Sequence, residues 1–171
     1  MNFNRPLTLA SNSPRRQQLL REGGFDFNIR TVAIEESFPD NLDSNEVAEY
    51  LALKKADAID LVSKDEVLIT SDTVVIHNGN ILGKPNSKED AFTMLKDLSN
   101  KTHSVVTGVC IKTSTKTISF RDTTAVTFKK LSEDEINYYI DNFQPFDKAG
   151  SYGIQEWIGM IGIIKIEGSY F

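Results

Sequence analysis

A single cysteine, Cys110, excludes an internal disulfide, and its place in the apolar run Val105-Val106-Thr107-Gly108-Val109-Cys110-Ile111 predicts a buried structural thiol. No stretch approaches the roughly eighteen consecutive apolar residues of a membrane helix, and Met1-Asn2-Phe3-Asn4-Arg5-Pro6 lacks a hydrophobic signal core. The expectation is a soluble, cytoplasmic protein. Positive charge is in deficit: 19 Lys and Arg face 24 Asp and Glu, and the net charge of −5 disfavours long nucleic acid as a partner. The two histidines, His77 and His103, stand far apart and outside any His-Glu-x-x-His pattern, which argues against zinc. Neither a Gly-x-x-x-x-Gly-Lys-Ser/Thr loop nor a Gly-x-Ser-x-Gly elbow occurs, which argues against a P-loop NTPase and an α/β-hydrolase. There is no repeat, low-complexity segment or linker, so residues 1–171, 40% of them hydrophobic, read as one domain.

Hydrophobic periodicity and turn chemistry predict a mixed α/β chain. Leu7 to Ala10 reads as a short buried strand, and Ser13-Pro14 as a helix cap with proline at the first helical position. That helix should end at Gly23-Gly24, after which Phe25, Phe27 and Ile29 alternate like a second strand. Asp43 and Glu46 resemble a capping box for a helix with Val47, Leu51, Ala58 and Leu61 on one face. Val67 to Thr70 reads as a third strand. Val74-Val75-Ile76 and Ile81-Leu82 flank Asn78-Gly79, the pair favoured in a tight hairpin. Ser87 with Asp90 starts a helix ending near Leu98, and Thr102 to Ile111 and Ile118 to Phe128 are β-rich stretches around a polar turn at 113–115. Ser132 and Glu135 form a capping box for a helix ending near Asn142, and Gly162 to Ile166 is a late strand.

Several segments carry residues suited to chemistry. Ala10-Ser11-Asn12-Ser13-Pro14-Arg15-Arg16 places hydroxyls and guanidinium forks at a strand-to-helix turn, where free N–H groups favour an anion such as phosphate. The bland alternative is a capped helix with solvated arginines. Asp72 follows the apolar strand 67–69, where a carboxylate would hold a hard divalent cation or orient water; a turn-forming aspartate is the plainer reading. Glu35, Glu36 and Asp40 add loop carboxylates, with solvation as their default. Lys84, between Gly83 and Pro85, could reach a phosphate or sit solvated in a turn, and Lys55 in the second helix reads by itself as a surface lysine. In Asp147 to Gln155, Gln155 offers a donor and an acceptor to a nucleobase edge, whereas Tyr152 and Trp157 read as packing residues.

Five ordered segments together resemble one family: Leu9-Ala10-Ser11-Asn12-Ser13-Pro14-Arg15-Arg16, Ser71-Asp72-Thr73-Val74-Val75, Ile81-Leu82-Gly83-Lys84-Pro85, His103-Ser104-Val105-Val106-Thr107-Gly108-Val109 and Asp147-Lys148-Ala149-Gly150-Ser151-Tyr152-Gly153-Ile154-Gln155. The pattern is similar to that of the Maf family. The resemblance implies an α/β fold like that of inosine triphosphate pyrophosphatases: an elongated curved mixed sheet flanked by helices, with two lobes and a central cleft. It implies hydrolysis of nucleoside triphosphates to the monophosphate plus pyrophosphate with Mg2+ or Mn2+. Asp72 would be the proton acceptor, and Glu36 with Asp72 would hold the metal. Ser11, Arg15, Arg16, Lys55 and Lys84 would grip phosphates, and Arg15, Thr73 and Gln155 would set base preference. The glutamine at 155 resembles the dTTP and UTP branch rather than the 7-methyl-GTP branch, which implies a role in cleansing the nucleotide pool of modified pyrimidine triphosphates. Family resemblance also implies a homodimer. The competing functions are a division or septum-inhibition regulator and a nucleotide sensor that binds without turnover.

The family pattern continues past Glu167-Gly168-Ser169-Tyr170 through a Val-Gly-Leu-Pro segment and a last helix, whereas this sequence stops at Phe171. The expectation is that the family's final segment is missing, leaving the apolar face of residues 161–166 without part of its cover.

Overall fold

Three residues, Leu7–Leu9 (β1), are enough to start the sheet: β1 pairs in parallel with Asn28–Ile29 (β2) on one side and with Val67–His77 (β3) on the other. The computed structural model describes residues 4–171. Strands Asn80–Leu82 (β4), Thr102–Lys112 (β5), Thr117–Phe128 (β6) and Ile163–Glu167 (β7) complete a seven-stranded mixed sheet. Its order is β2-β1-β3-β5-β6-β7, with β4 paired antiparallel to β3 and β7 antiparallel to β6. Helices Pro14–Glu22 (α1), Val47–Asp57 (α2), Lys88–Leu98 (α3), Glu133–Phe143 (α4) and Trp157–Gly162 (α5) flank it. This is the mixed α/β architecture that the sequence predicts. Among the described residues, no helix is long and apolar enough to cross a membrane.

The chain divides into two compact units. Of the described residues, 4–72, 107–121 and 171 form the first, and 73–106 and 122–170 the second. In the first, Ala10, Ile59 and Leu68 pack together, while Ala52, Ala56 and Cys110 form a second cluster. Cys110 is fully buried and free, as its apolar context predicts. The second unit has the larger core, built on Leu95, Leu98, Phe128, Ile136, Tyr139, Ile140 and Ile158.

Local signals account for the starts of three of the five α-helices. Ser13 caps α1 with Pro14 in its first turn, Ser87 caps α3, and Ser132 with Glu135 makes a complete capping box on α4. The predicted hairpin forms in the register Val75↔Leu82, Ile76↔Ile81, His77↔Asn80, with Asn78 and Gly79 both at positive φ as a type I′ turn requires.

Several readings are corrected, and one helix that the sequence did not signal is added. The strand over Phe25 to Ile29 is reduced to Asn28 and Ile29, because three-residue β1 offers partners only at Thr8 and Leu9. Asp43 does not cap α2: its Oδ1 accepts from the backbone N–H and side-chain amide of Asn45, and the helix begins at Val47. Ala58 and Leu61 lie past its end at Asp57. Strand β3 does not stop at Thr70 but runs on to His77, so Asp72 lies within a strand rather than where one emerges. Helix α5 precedes β7, where the apolar residues and two glycines of 157–162 carry no clear helical period.

Candidate active site

In the first unit, the candidate side chains come from four places: the start of α1 with the turn before it, the loop before α2, helix α2 itself, and strand β3. Strand β3 carries Asp72 buried, and hydrogen bonds to polar groups beside it help an eleven-residue strand run through Thr70-Ser71-Asp72-Thr73. Thr70 Oγ1 donates to the carbonyl of Ala52 in α2 at 2.6 Å, and Arg16 from α1 donates to the carbonyl of Ser71 at 2.8 Å.

Lys55 is the centre of the site. Its Nζ donates to Glu36 Oε1 at 2.8 Å and forms a short contact with Asp72 Oδ1. The lysine side chain is only 17% exposed, so it is not the solvated helical lysine that its sequence position suggests. It holds a loop carboxylate and a strand carboxylate on one ammonium. Burial pushes the Asp72 carboxyl above the ordinary aspartate range, against the pull of Lys55, while Glu36 adds to the rise. Burial lowers Arg16, and the charges of Asp72 and Glu36 oppose that lowering, so the guanidinium belongs to the same electrostatic cluster. Arg16, Glu36, Lys55 and Asp72 are therefore brought together from residues that lie up to 56 positions apart by number (72 − 16).

The remaining first-unit candidates are held locally. Ser11 is buried and its Oγ accepts from the backbone N–H of Ser13 at 3.2 Å, so the turn that precedes α1 is fastened on itself. The Arg15 guanidinium stands over the Phe171 ring, 5.6 Å from its centroid.

In the second unit, Thr73 is the next residue of β3, half-buried. Lys84 is exposed just after β4; the hydrogen bond from Lys148 holds the Asp147 carboxyl below its ordinary range, and the charge of Lys84 adds a smaller pull in the same direction. Gln155 is exposed, and its side-chain amide donates to the Tyr170 carbonyl at 3.2 Å. Glu156, which sequence reasoning passed over, bonds both the Tyr139 hydroxyl and, at 3.2 Å, Lys148. Its only sequence signal was its place directly after Gln155.

The donor set suits a hard divalent cation. Glu36 and Asp72 share one ammonium and so lie within reach of a single ion, and both offer oxygen. Among the described residues no group of three or more His, Cys, Asp or Glu could hold a metal by itself. A cation here would need further oxygens from a phosphate ligand, which is how Mg2+ is commonly bound.

The chain is 54% identical over 168 residues to the dTTP/UTP pyrophosphatase of Flavobacterium psychrophilum, covering 98% of this chain and 86% of that one. It is 49% identical over 167 residues to the dTTP/UTP pyrophosphatase of Parabacteroides distasonis, covering 96% and 86%. Among solved structures, the Staphylococcus aureus Ham1 protein superposes with a TM-score of 0.53 over 91% of this chain and 90% of that chain, at 17% identity, a likeness of fold alone. The family model described as Maf-like protein matches residues 6–171, and the chain belongs to the Maf family.

Proposed function

We propose that this protein is a nucleoside triphosphate pyrophosphatase that hydrolyses dTTP and UTP to the monophosphate and pyrophosphate. The observation that carries the reading is Lys55 bridging Glu36 and Asp72, with Arg16 beside them, in a chain whose curated relatives are named dTTP/UTP pyrophosphatases.

In this reading a water oxygen bonds to the α-phosphorus, the bond from that phosphorus to the bridging oxygen breaks, and the electron pair departs with pyrophosphate. The water's proton passes to Asp72. Lys55 holds Oδ1, so Oδ2 is the oxygen assigned to receive it, and a carboxyl raised by burial is a stronger base than an ordinary aspartate. Arg16, Arg15, Ser11, Lys55 and Lys84 neutralise and orient the phosphates, while Arg15, Thr73 and Gln155 select the base. Glu36 and Asp72 would hold a Mg2+ or Mn2+ ion, which supplies charge neutralisation on the phosphate oxygens when bound. The reading carries with it a cytoplasmic homodimer, whose mass sedimentation would report.

Pyrophosphate release from dTTP, UTP, CTP, GTP and 7-methyl-GTP, with Mg2+ or Mn2+, tests the proposal. Turnover should favour dTTP and UTP, and Asp72→Asn should lower it by roughly 10²–10⁴-fold, the span of a lost general base. Tight triphosphate binding without pyrophosphate release would replace the enzyme with a sensor.

A further inference from the structure

The second unit contains a buried polar contact that packing does not require. His103, near the start of β5, is 3% exposed, and its Nε2 lies 2.6 Å from the hydroxyl of Tyr152, itself 6% exposed. The Phe128 ring stacks on the imidazole at 5.5 Å and meets the Tyr152 ring edge-on at 5.0 Å. His103 Nδ1 is buried without a hydrogen-bond partner, a cost that an apolar side chain of similar size would not carry. A histidine kept there at a cost calls for a task beyond filling space.

What it holds is the segment that leads to Gln155. Gly150 and Ser151 both have left-handed backbone, φ +65° and +63°, and Ser151 is a non-glycine residue in that conformation at 0% exposure. A Cβ on Gly150 would meet Val75 at 3.0 Å, so the corner is closely packed as well as strained. It is fastened from several directions. The Gly150 N–H donates to the carbonyl of Gly83, the residue before Lys84, at 3.0 Å; Ser151 Oγ donates to Met94 Sδ at 3.2 Å; the Gly153 N–H donates to the Tyr139 hydroxyl at 3.1 Å. Strained backbone held by this many restraints is a mark of a segment whose exact placement matters.

We propose that His103 is a positioning residue for the reaction: through the Tyr152 hydroxyl it sets the corner at Gly150-Ser151, and so the placement of Gln155 for base selection. The proposal rests on the reading of Gln155 as a base-selecting residue. Burial first, and then the nearby His77, keep the imidazole neutral near pH 7, so the contact with Tyr152 is there a neutral hydrogen bond.

Steady-state kinetics on dTTP, UTP and CTP with Tyr152→Phe, His103→Leu and His103→Gln, each with its thermal midpoint, tests this. Tyr152→Phe keeps the ring and deletes only the bond. Tyr152→Phe and His103→Leu should each raise KM for dTTP roughly tenfold with kcat nearly unchanged, and should narrow the preference for dTTP over CTP by a similar factor. His103→Gln, which keeps a side-chain donor, should recover most of that loss. Lower midpoints with unchanged KM and an unchanged dTTP-to-CTP ratio would reduce the contact to core packing and overturn the proposal. A wild-type protein that turns over no pyrimidine triphosphate would instead sink the pyrophosphatase reading, and this role with it.

Discussion

Asp72 and His103 are both buried titratable groups, and burial moves them in opposite directions because it always disfavours the charged form. For Asp72 the net effect is upward, and Lys55 limits it. Carboxyl NMR on the metal-free protein should therefore find Asp72 titrating above the ordinary aspartate range, and Lys55→Met should move it higher still. A titration below that range would contradict the electrostatics of the site. His103 is lowered to about 4. Its unfolded form takes up a proton near 6.5, so between those values the unfolded chain binds more protons, and stability rises with pH. The His103 contribution is fully present above about pH 6.5 and is lost as pH falls through 4. Denaturation at pH 7 and pH 4 should show about 3 kcal/mol more loss in wild type than in His103→Gln.

Among the elements, the strands and helices that read correctly are those whose signals lie within a few residues. The box of Ser132 and Glu135 satisfies two backbone donors reciprocally, and Ser132→Ala should cost about 1 kcal/mol in urea denaturation. Elements read wrongly depended on distant partners. Ser71-Asp72-Thr73 looks like a strand end because polar residues interrupt the apolar run, yet Arg16 and Lys55 supply the partners that let β3 continue. Strand β5 shows the same dependence at Gly108. A Cβ there would stand 2.3 Å from the backbone of Ala48 in α2, so only glycine allows that helix and strand to touch. Gly108→Ala should destabilise by at least about 1–3 kcal/mol, measured by chemical denaturation, because a backbone rather than a flexible side chain must yield.

At the scale of the whole molecule, a net charge of −5 coexists with a local group of Arg16 and Lys55 around two carboxylates. Local field, not total charge, governs the capture of a small polyanion. A non-hydrolysable dTTP analogue with Mg2+, at a hundred times its dissociation constant, should raise unfolding free energy by about 2.7 kcal/mol; a matching GTP analogue at the same concentration should do less. Equal stabilisation by both would remove base selection from the proposal. Chain-local chemistry decided the mixed α/β class, the capped helices, the Asn78-Gly79 hairpin and, through five ordered motifs, the family. Those features are written in neighbouring residues, where propensity, capping and turn geometry act. Only the tertiary structure decided that Lys55 turns inward to join Glu36 and Asp72, that β3 runs unbroken through the acidic residue, and that His103 meets Tyr152, 49 positions away. Those outcomes depend on burial and on partners far along the chain, and a charge or a polar ring acquires its role from what packing sets against it.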